Sequence, residues 1–325
     1  MSSWRGRSLV DLASLSAEDI ETVLSRAQVM KDFIARGHKK ADLLRGKSVV
    51  NVFAEASTRT RSSFELAGKY LGADVINITQ STSSMTKGES WRDTLMTLAA
   101  LAPDALVLRH SASGAAAYAA ELGRTTGTVP AIINAGDGLH AHPSQGLLDL
   151  FTVRERKGKI AGLTYAIVGD VRHSRVARSD IQGFLKMGAK VRLVGPRTLV
   201  PRELEQEGVE LFDSVEEGVR DVDVIQILRL QTERAAAGFI PNLREYARIF
   251  GLNTARLAVA KPDVMVMHPG PIQRGVEISH ELAYAPQMFL QTQVRNGLAV
   301  RMAILHLVLN GGEGIEALAE ERHAH

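Results

Sequence analysis

Short apolar runs recur along this chain, spaced so that one helix fits between each run and the next. The first half carries "SVVNVF" (48–53), "ADVINI" (73–78), "ALVLRH" (105–110) and "VPAIINA" (129–135). The second half repeats the rhythm with "TYAIVGD" (164–170), "KVRLVG" (190–195), "DVIQIL" (223–228) and "VMVMHP" (264–269). Such runs, rich in Val, Ile and Leu, fit strands covered on both faces, so each set predicts a parallel sheet flanked by helices. Ser16 with Asp19 marks a helix start ahead of "IETVLSRAQVMKDFIARG", which stops at Gly37. A last helical pattern, "QTQVRNGLAVRMAILHLVLNGG" (291–312), returns to pack on one of the sheets.

The expected fold class is therefore α/β, with two doubly wound parallel-sheet domains of similar build joined by helices. We place the first domain at 1–143 plus 292–325 and the second at 144–291. A length of 325 residues accords with two domains. The net charge of +3 is too mild for a nucleic-acid partner and points instead to local anion clamps. The chain has no cysteine, which excludes disulfides, thiolate metal sites and a thiol nucleophile. No apolar run is long enough for a membrane span, and the N-terminus lacks a signal-peptide core, so a soluble cytoplasmic protein is expected.

In open α/β sheets ligands gather where strands end and loops begin. The first such place is "FAEASTRTRSSFEL" (53–66), directly after a strand run. Ser57, Thr58, Arg59 and Thr60 stand at the start of a helix, whose unpaired N–H groups and partial positive charge suit an anion. Arg59 adds a planar guanidinium able to grip two phosphate oxygens. No Walker motif is present, so the expected ligand is a phosphate other than a Mg-nucleotide. The structural alternative is a plain cap, with Ser62 and Glu65 forming a capping box. Arg61 reads as structural.

Lys87 lies in the polar stretch "STSSMTKGES" (81–90), either a solvated loop or a catalytic one. Arg109 ends an apolar run, as a site residue or a strand-end solubiliser. In "GDGLHAHPSQGLLDL", His140 and His142 form His-x-His, but no further ligand series follows and a metal is rejected. His142, beside Pro143 and Gln145, could polarise a carbonyl, whereas His140 reads as packing. "YAIVGDVRHSRVARSD" lacks the glycines of a dinucleotide turn. Its Arg172, Arg175 and Arg178 suggest a carboxylate or other small anion, and Arg229 and Gln231 follow the next strand run. Pro269, Gly270 and Pro271 form a stiff turn whose carbonyls could face ligand N–H groups.

Ser-Thr-Arg-Thr-Arg, His-Pro-x-Gln-x-Leu-Leu-Asp and His-Pro-Gly-Pro, in this order, resemble the aspartate/ornithine carbamoyltransferase family over roughly Leu9 to Leu309. Ornithine-using members carry an Asp-x-x-x-Ser-Met-Gly loop and a His-Cys-Leu-Pro turn; "ILRLQTER" and "MHPGP" stand here instead. The resemblance thus implies transfer of the carbamoyl group of carbamoyl phosphate to L-aspartate, a step of pyrimidine biosynthesis, in a carbamoyltransferase-like fold with no cofactor.

It also implies a division of labour. Ser57, Thr58, Arg59, Thr60 and Arg109 hold the phosphate, while Thr58, Arg109 and His142 face the carbamoyl oxygen. Gln145 and the carbonyls of Gly270 and Pro271 orient the carbamoyl NH2. Arg175, Arg229 and Gln231 take the aspartate carboxylates. Ser83 and Lys87 enter the site of a neighbouring subunit, Lys87 reaching the aspartate, so the implied working unit is a homotrimer with shared sites. The resemblance admits higher assemblies with regulatory chains or a dihydroorotase. Ala54 and Gln273 depart from residues common in relatives. Two alternatives stay open at this point: an ornithine or acylated-ornithine acceptor, and a non-catalytic scaffold subunit.

Overall fold

The computed structural model describes residues 4–79, 88–231, 238–316 and 318. The chain divides into two compact units, 1–151 with 294–325 and 152–293. In chain order the first unit holds α1 (Ala17–Ala35), β1 (Ser48–Phe53), α2 (Thr58–Tyr70), β2 (Asp74–Thr79), α3 (Trp91–Ala100), β3 (Ala105–His110), α4 (Ala115–Thr126) and β4 (Ala131–Asp137). Helix α5 (Pro143–Lys157) carries the chain onward. The second unit holds β5 (Thr164–Val168), α6 (Arg175–Lys186), β6 (Lys190–Val194), β7 (Glu210–Phe212), α7 (Val215–Gly218), β8 (Val224–Ile227), α8 (Leu243–Phe250), α9 (Thr254–Leu257) and β9 (Met265–Met267). Helix α10 (Leu290–Asn310) closes the sequence of elements. Both divisions fall inside helices, α5 and α10, further along each than the 143/144 and 291/292 expected from the sequence. A motif can mark where α5 begins, but not where along the helix its packing changes.

Both sheets are parallel, with strand orders β2-β1-β3-β4 and β7-β6-β5-β8-β9. In the first, Val50, Val52, Leu106, Leu108 and Ile132 pack with Leu95, Leu98, Ala116, Ala119 and Leu122 from α3 and α4. The alternate positions Val49, Val107 and Ile133 are buried too, on the opposite face of the pleat. Two-sided burial is why these strands read as unbroken apolar runs. Edge strand β2 is the exception and leaves Ile76 exposed. The other edge, β4, is covered by the N-terminal segment: Leu9 N–H donates to the Ile132 carbonyl and Asn134 N–H to the Leu9 carbonyl, at 2.8 and 2.9 Å.

In the second sheet Ala166, Val168, Val194, Ile225, Ile227 and Val266 pack with Val215, Val219, Leu252, Leu257 and Ile278. Strand β7 is not announced by the apolar pattern. It is three residues long, lies at the edge and is only partly buried, so no run of core residues is required there.

Helix α1 begins as its sequence predicts, with a reciprocal capping box between Ser16 and Asp19. Helix α2 does not use the predicted Ser62–Glu65 box. It starts earlier, at Thr58, with Ser57 as N-cap residue and no side-chain capping bond. Glu65 instead pairs with Lys69 one turn on, at 2.6 Å.

Gly123, inside α4, tests how closely this helix approaches the chain leading into β4. A Cβ there would stand 2.7 Å from the Val129 carbonyl oxygen. Helix propensity alone favours Gly→Ala by about 0.8–1 kcal/mol. Backbone cannot give way as a side-chain tip can, so overpacking of ~1–3 kcal/mol outweighs that gain. Gly123→Ala is expected to lower the melting temperature in calorimetry; a rise would show that the contact is soft.

Candidate active site

Each sheet reverses its strand order once, between β1 and β3 and between β5 and β8. At a reversal the crossovers leave on opposite faces, so a crevice opens at the carboxyl ends of the two strands. In the first unit those ends are in register: Phe53 pairs with Arg109, and Ala54 N–H donates to the Arg109 carbonyl at 2.9 Å. The turn 54–57, the start of α2 and Arg109 are therefore brought together by pairing alone. Thr58 and Arg59 are exposed in the first turn of α2 and Thr60 is buried. Ser57 makes no side-chain bond to that turn, and a helix start of this kind suits an anion.

Arg109 is oriented by both neighbours. Its Nη2 donates to Glu55 Oε1 at 2.8 Å and its Nη1 to the Ala135 carbonyl at 3.1 Å. An arriving phosphate would compete with Glu55 for this guanidinium.

His110 pairs with Asp137, which places the end of β4 beside the end of β3. Asp137, buried, accepts from Gly114 N–H at 2.8 Å, Asn134 Nδ2 at 2.8 Å and Ala141 N–H at 3.2 Å. The Nδ1 of His140 lies 3.1 Å from both of its oxygens, so this ring belongs to the turn's own framework. Gly138 in the same turn has φ +47°, and a Cβ there would collide with the backbone of Ser113. This tight turn delivers His142, buried, to the start of α5, where Pro143 takes the first helical position. Ser144 Oγ lies 3.5 Å from His142 Nδ1, and Gln145, buried in the first turn of α5, directs its Nε2 at Asp149.

In the second unit Val168 pairs with Ile227, and Leu228 N–H donates to the Val168 carbonyl at 2.8 Å. Two buried carboxylates organise the loops that follow. Asp170 lies 2.8 Å from His173 Nδ1 and accepts from the Gln231 N–H at 3.2 Å. Glu277 accepts from the Leu230 N–H at 2.9 Å, the Gln273 N–H at 2.9 Å and His268 Nε2 at 3.0 Å. His268 Nδ1 accepts from the Gly270 N–H at 2.8 Å, which puts the ring proton on Nε2 and makes it the donor to Glu277. One buried acid thus ties the Arg229–Gln231 loop to the Pro269–Gly270–Pro271 turn. Tyr246 stands near both acids; burial, then the charges of Glu277 and Asp170, push its phenol well above the usual range and keep it neutral.

Arg175 opens α6 behind the N-cap Ser174 and is buried, with only 4% of its surface exposed. Arg172 is turned to structure, donating from Nε to the Thr198 carbonyl at 2.8 Å and lying over the ring of Phe239. Ser83 and Lys87 lie outside the described residues. Among the described residues no group of three or more His, Asp or Glu side chains could hold a metal ion, and no helix is long and apolar enough to cross a membrane. Glu55, Asp137, Asp170 and Glu277 escaped the sequence reading, and His268 entered it only as part of the His-Pro-Gly-Pro motif. Asp137 and Asp170 do carry a signal, since each follows an apolar run within a Gly-Asp pair; Glu277 carries none.

Residues 7–155 match the family model described as "Aspartate/ornithine carbamoyltransferase, carbamoyl-P binding domain", and residues 161–308 match "Aspartate/ornithine carbamoyltransferase, Asp/Orn binding domain". The chain belongs to the aspartate/ornithine carbamoyltransferase family. The aspartate carbamoyltransferase catalytic subunit of Pelotomaculum thermopropionicum is 55% identical to it, over 94% of this chain and 98% of the relative. That of Desulforamulus reducens is 52% identical, over 95% and 97%. Among solved structures, aspartate transcarbamoylase from Trypanosoma cruzi in complex with N-(phosphonacetyl)-L-aspartic acid is 32% identical and superposes with a TM-score of 0.84, over 95% of this chain and 98% of that one. Ornithine carbamoyltransferase from Pyrococcus furiosus is 30% identical and superposes with a TM-score of 0.83, over 96% and 99%.

Replacing Glu277 by Ala would leave the Leu230 N–H and an imidazole N–H buried without acceptors, at about 1–3 kcal/mol for each, and free the part-buried Gln273 N–H. The expected result is a clearly lower unfolding midpoint in urea and faster proteolysis of the segment after Leu228. A midpoint equal to that of the unaltered chain would show that the acid is not the tie described.

Proposed function

We propose that this chain is an aspartate carbamoyltransferase catalytic chain, making N-carbamoyl-L-aspartate and phosphate from carbamoyl phosphate and L-aspartate. The observation that carries the reading is the juxtaposition of the α2 start, left without a side-chain cap, with Arg109 at the strand-order reversal of the first sheet. In this reading hydroxyls, helix N–H groups and two arginines share one small anion. The relatives that share half of the residues over nearly the whole length carry the aspartate name. Fold likeness does not separate the two acceptors, since the ornithine and aspartate enzymes superpose almost equally well. Residue chemistry favours aspartate, because Arg175 and Arg229 suit a dicarboxylate and would repel an ammonium tail.

In this reading the amine of aspartate attacks the carbamoyl carbon and negative charge gathers on its oxygen. Thr58, Arg109 and His142 stabilise that oxyanion, each such donor contributing about 2.7–4 kcal/mol to lowering the barrier. The new C–N bond forms as the C–O bond to phosphate breaks. The departing phosphate, held by Ser57, Thr58, Arg59, Thr60 and Arg109, takes the proton that the amine must lose. Gln145 and the carbonyls of Gly270 and Pro271 orient the carbamoyl NH2, and Gln231 joins the arginines on aspartate. Bringing two anions together against their repulsion is the larger part of the work. Ser83 and Lys87 complete the site of a neighbouring subunit in a homotrimer, and the enzyme serves pyrimidine biosynthesis in the cytoplasm.

Arg59→Ala should lower kcat/KM for carbamoyl phosphate by about 10²–10³-fold with an unchanged circular dichroism spectrum; near-normal turnover would remove the phosphate turn from the mechanism. Aspartate, ornithine and their acetylated forms, assayed side by side, should show transfer to aspartate alone, and an ornithine-type preference would refute the acceptor assignment. Arg59→Ala and Lys87→Ala trimers, dissociated and reassembled together, should regain partial activity if Lys87 serves a neighbour's site.

A further inference from the structure

Gln145 is held in a way that decides which end of its amide faces outward. Its Nε2 lies 3.3 and 3.2 Å from the two oxygens of Asp149, one helical turn further along α5. Asp149 is completely buried. An ionised carboxylate only accepts hydrogen bonds, so it selects the NH2 end of the amide and leaves the carbonyl oxygen on the other side. A neutral carboxyl group, or an amide in its place, could donate as well and would select nothing.

A carboxylate this deep needs a compensating positive charge to stay ionised. Arg301 of α10 supplies it. The residue is 5% exposed and its guanidinium lies over the ring of Phe64, 5.3 Å from the centroid. The same group fills the space beside Gly297, where a Cβ would stand 2.6 Å from Nη1. Burial pushes its pKa down to about 10, Asp149 works against that drop and Arg109 adds to it. Arg301 is thus within electrostatic reach of both Asp149 and the site arginine. The Phe64 ring and the missing side chain at Gly297 define where its planar head can go. A cation buried this deeply is costly unless a nearby acid compensates it.

We propose that Asp149 and Arg301 are positioning residues that hold the Gln145 amide with its oxygen toward the carbamoyl NH2, so that the enzyme rejects acyl phosphates carrying a methyl group in place of that NH2. The inference rests on the reading of Gln145 in the preceding subsection. A fixed acceptor rewards an N–H and leaves its own oxygen unpaired against a methyl group, which is how a polar site achieves strong discrimination.

Acetyl phosphate is the probe, since it differs from carbamoyl phosphate by CH3 for NH2. The quantity measured on the full-length assembled enzyme is the ratio of the inhibition constant of acetyl phosphate to the KM of carbamoyl phosphate. This ratio does not depend on the fraction of active protein. Asp149→Asn and Arg301→Met are each expected to lower it at least tenfold, with the KM for aspartate changed less than twofold. The paired variant Asp149→Asn with Arg301→Met removes both charges at once, and its ratio decides if either single variant fails to assemble. A wild-type ratio in these variants, alongside a collapsed ratio in Gln145→Ala, would overturn the proposal while leaving the role of Gln145 intact. A wild-type ratio in Gln145→Ala itself would overturn the role of Gln145 and the proposal with it.

Discussion

A parallel sheet must send every crossover over one of its two faces, and where the strand order reverses, two neighbouring crossovers depart on opposite sides. The carboxyl ends of the two strands between them are left uncovered. This chain has that arrangement in each sheet, at β1/β3 and at β5/β8. The groups with the chemistry of anion binding stand at these ends. Arg109 is in register with the last residue before the Ser57–Thr60 turn, and Arg229 follows β8, which pairs with the strand leading to Asp170 and Arg175. Regular strand pairing does most of the positioning, so the loops need add only local detail.

That detail comes from buried acids. Asp137 organises the turn ahead of His142, Asp149 orients Gln145, Asp170 takes the Gln231 N–H, and Glu277 gathers Leu230, Gln273 and His268. Each is completely or almost completely buried. Buried polar groups are strongly destabilising when left unpaired, so a carboxylate that accepts several backbone N–H groups admits few alternative loop conformations. The loops gain the rigidity that positioning two anionic substrates demands.

The two sheets also show why fold and chemistry must be argued apart. A structure named for ornithine and one named for aspartate superpose on this chain to nearly the same degree. Acceptor choice then lies in a few loop residues, whose charges can change without disturbing strand order or core packing.

Much of this was legible in the sequence because it depends on local pattern. Unbroken Val/Ile/Leu runs report strands buried on both faces, and Ser16 with Asp19 reports a capping box; both follow from neighbours along the chain. The Ser-Thr-Arg-Thr-Arg turn at the start of α2 and the His-Pro-x-Gln motif at the start of α5 were equally visible, since residue types and spacing define them. Tertiary structure alone decided the remainder. The start of α2 at Thr58 rather than at a Ser62 cap depends on how β1 delivers the chain, and the short edge strand β7 exists through pairing, with little apolar burial to announce it. The partnership of Glu277 with a loop 47 residues away left no trace in local spacing. Long-range electrostatics and hydrogen bonding depend on which elements the fold places side by side, and a linear pattern does not encode that distance.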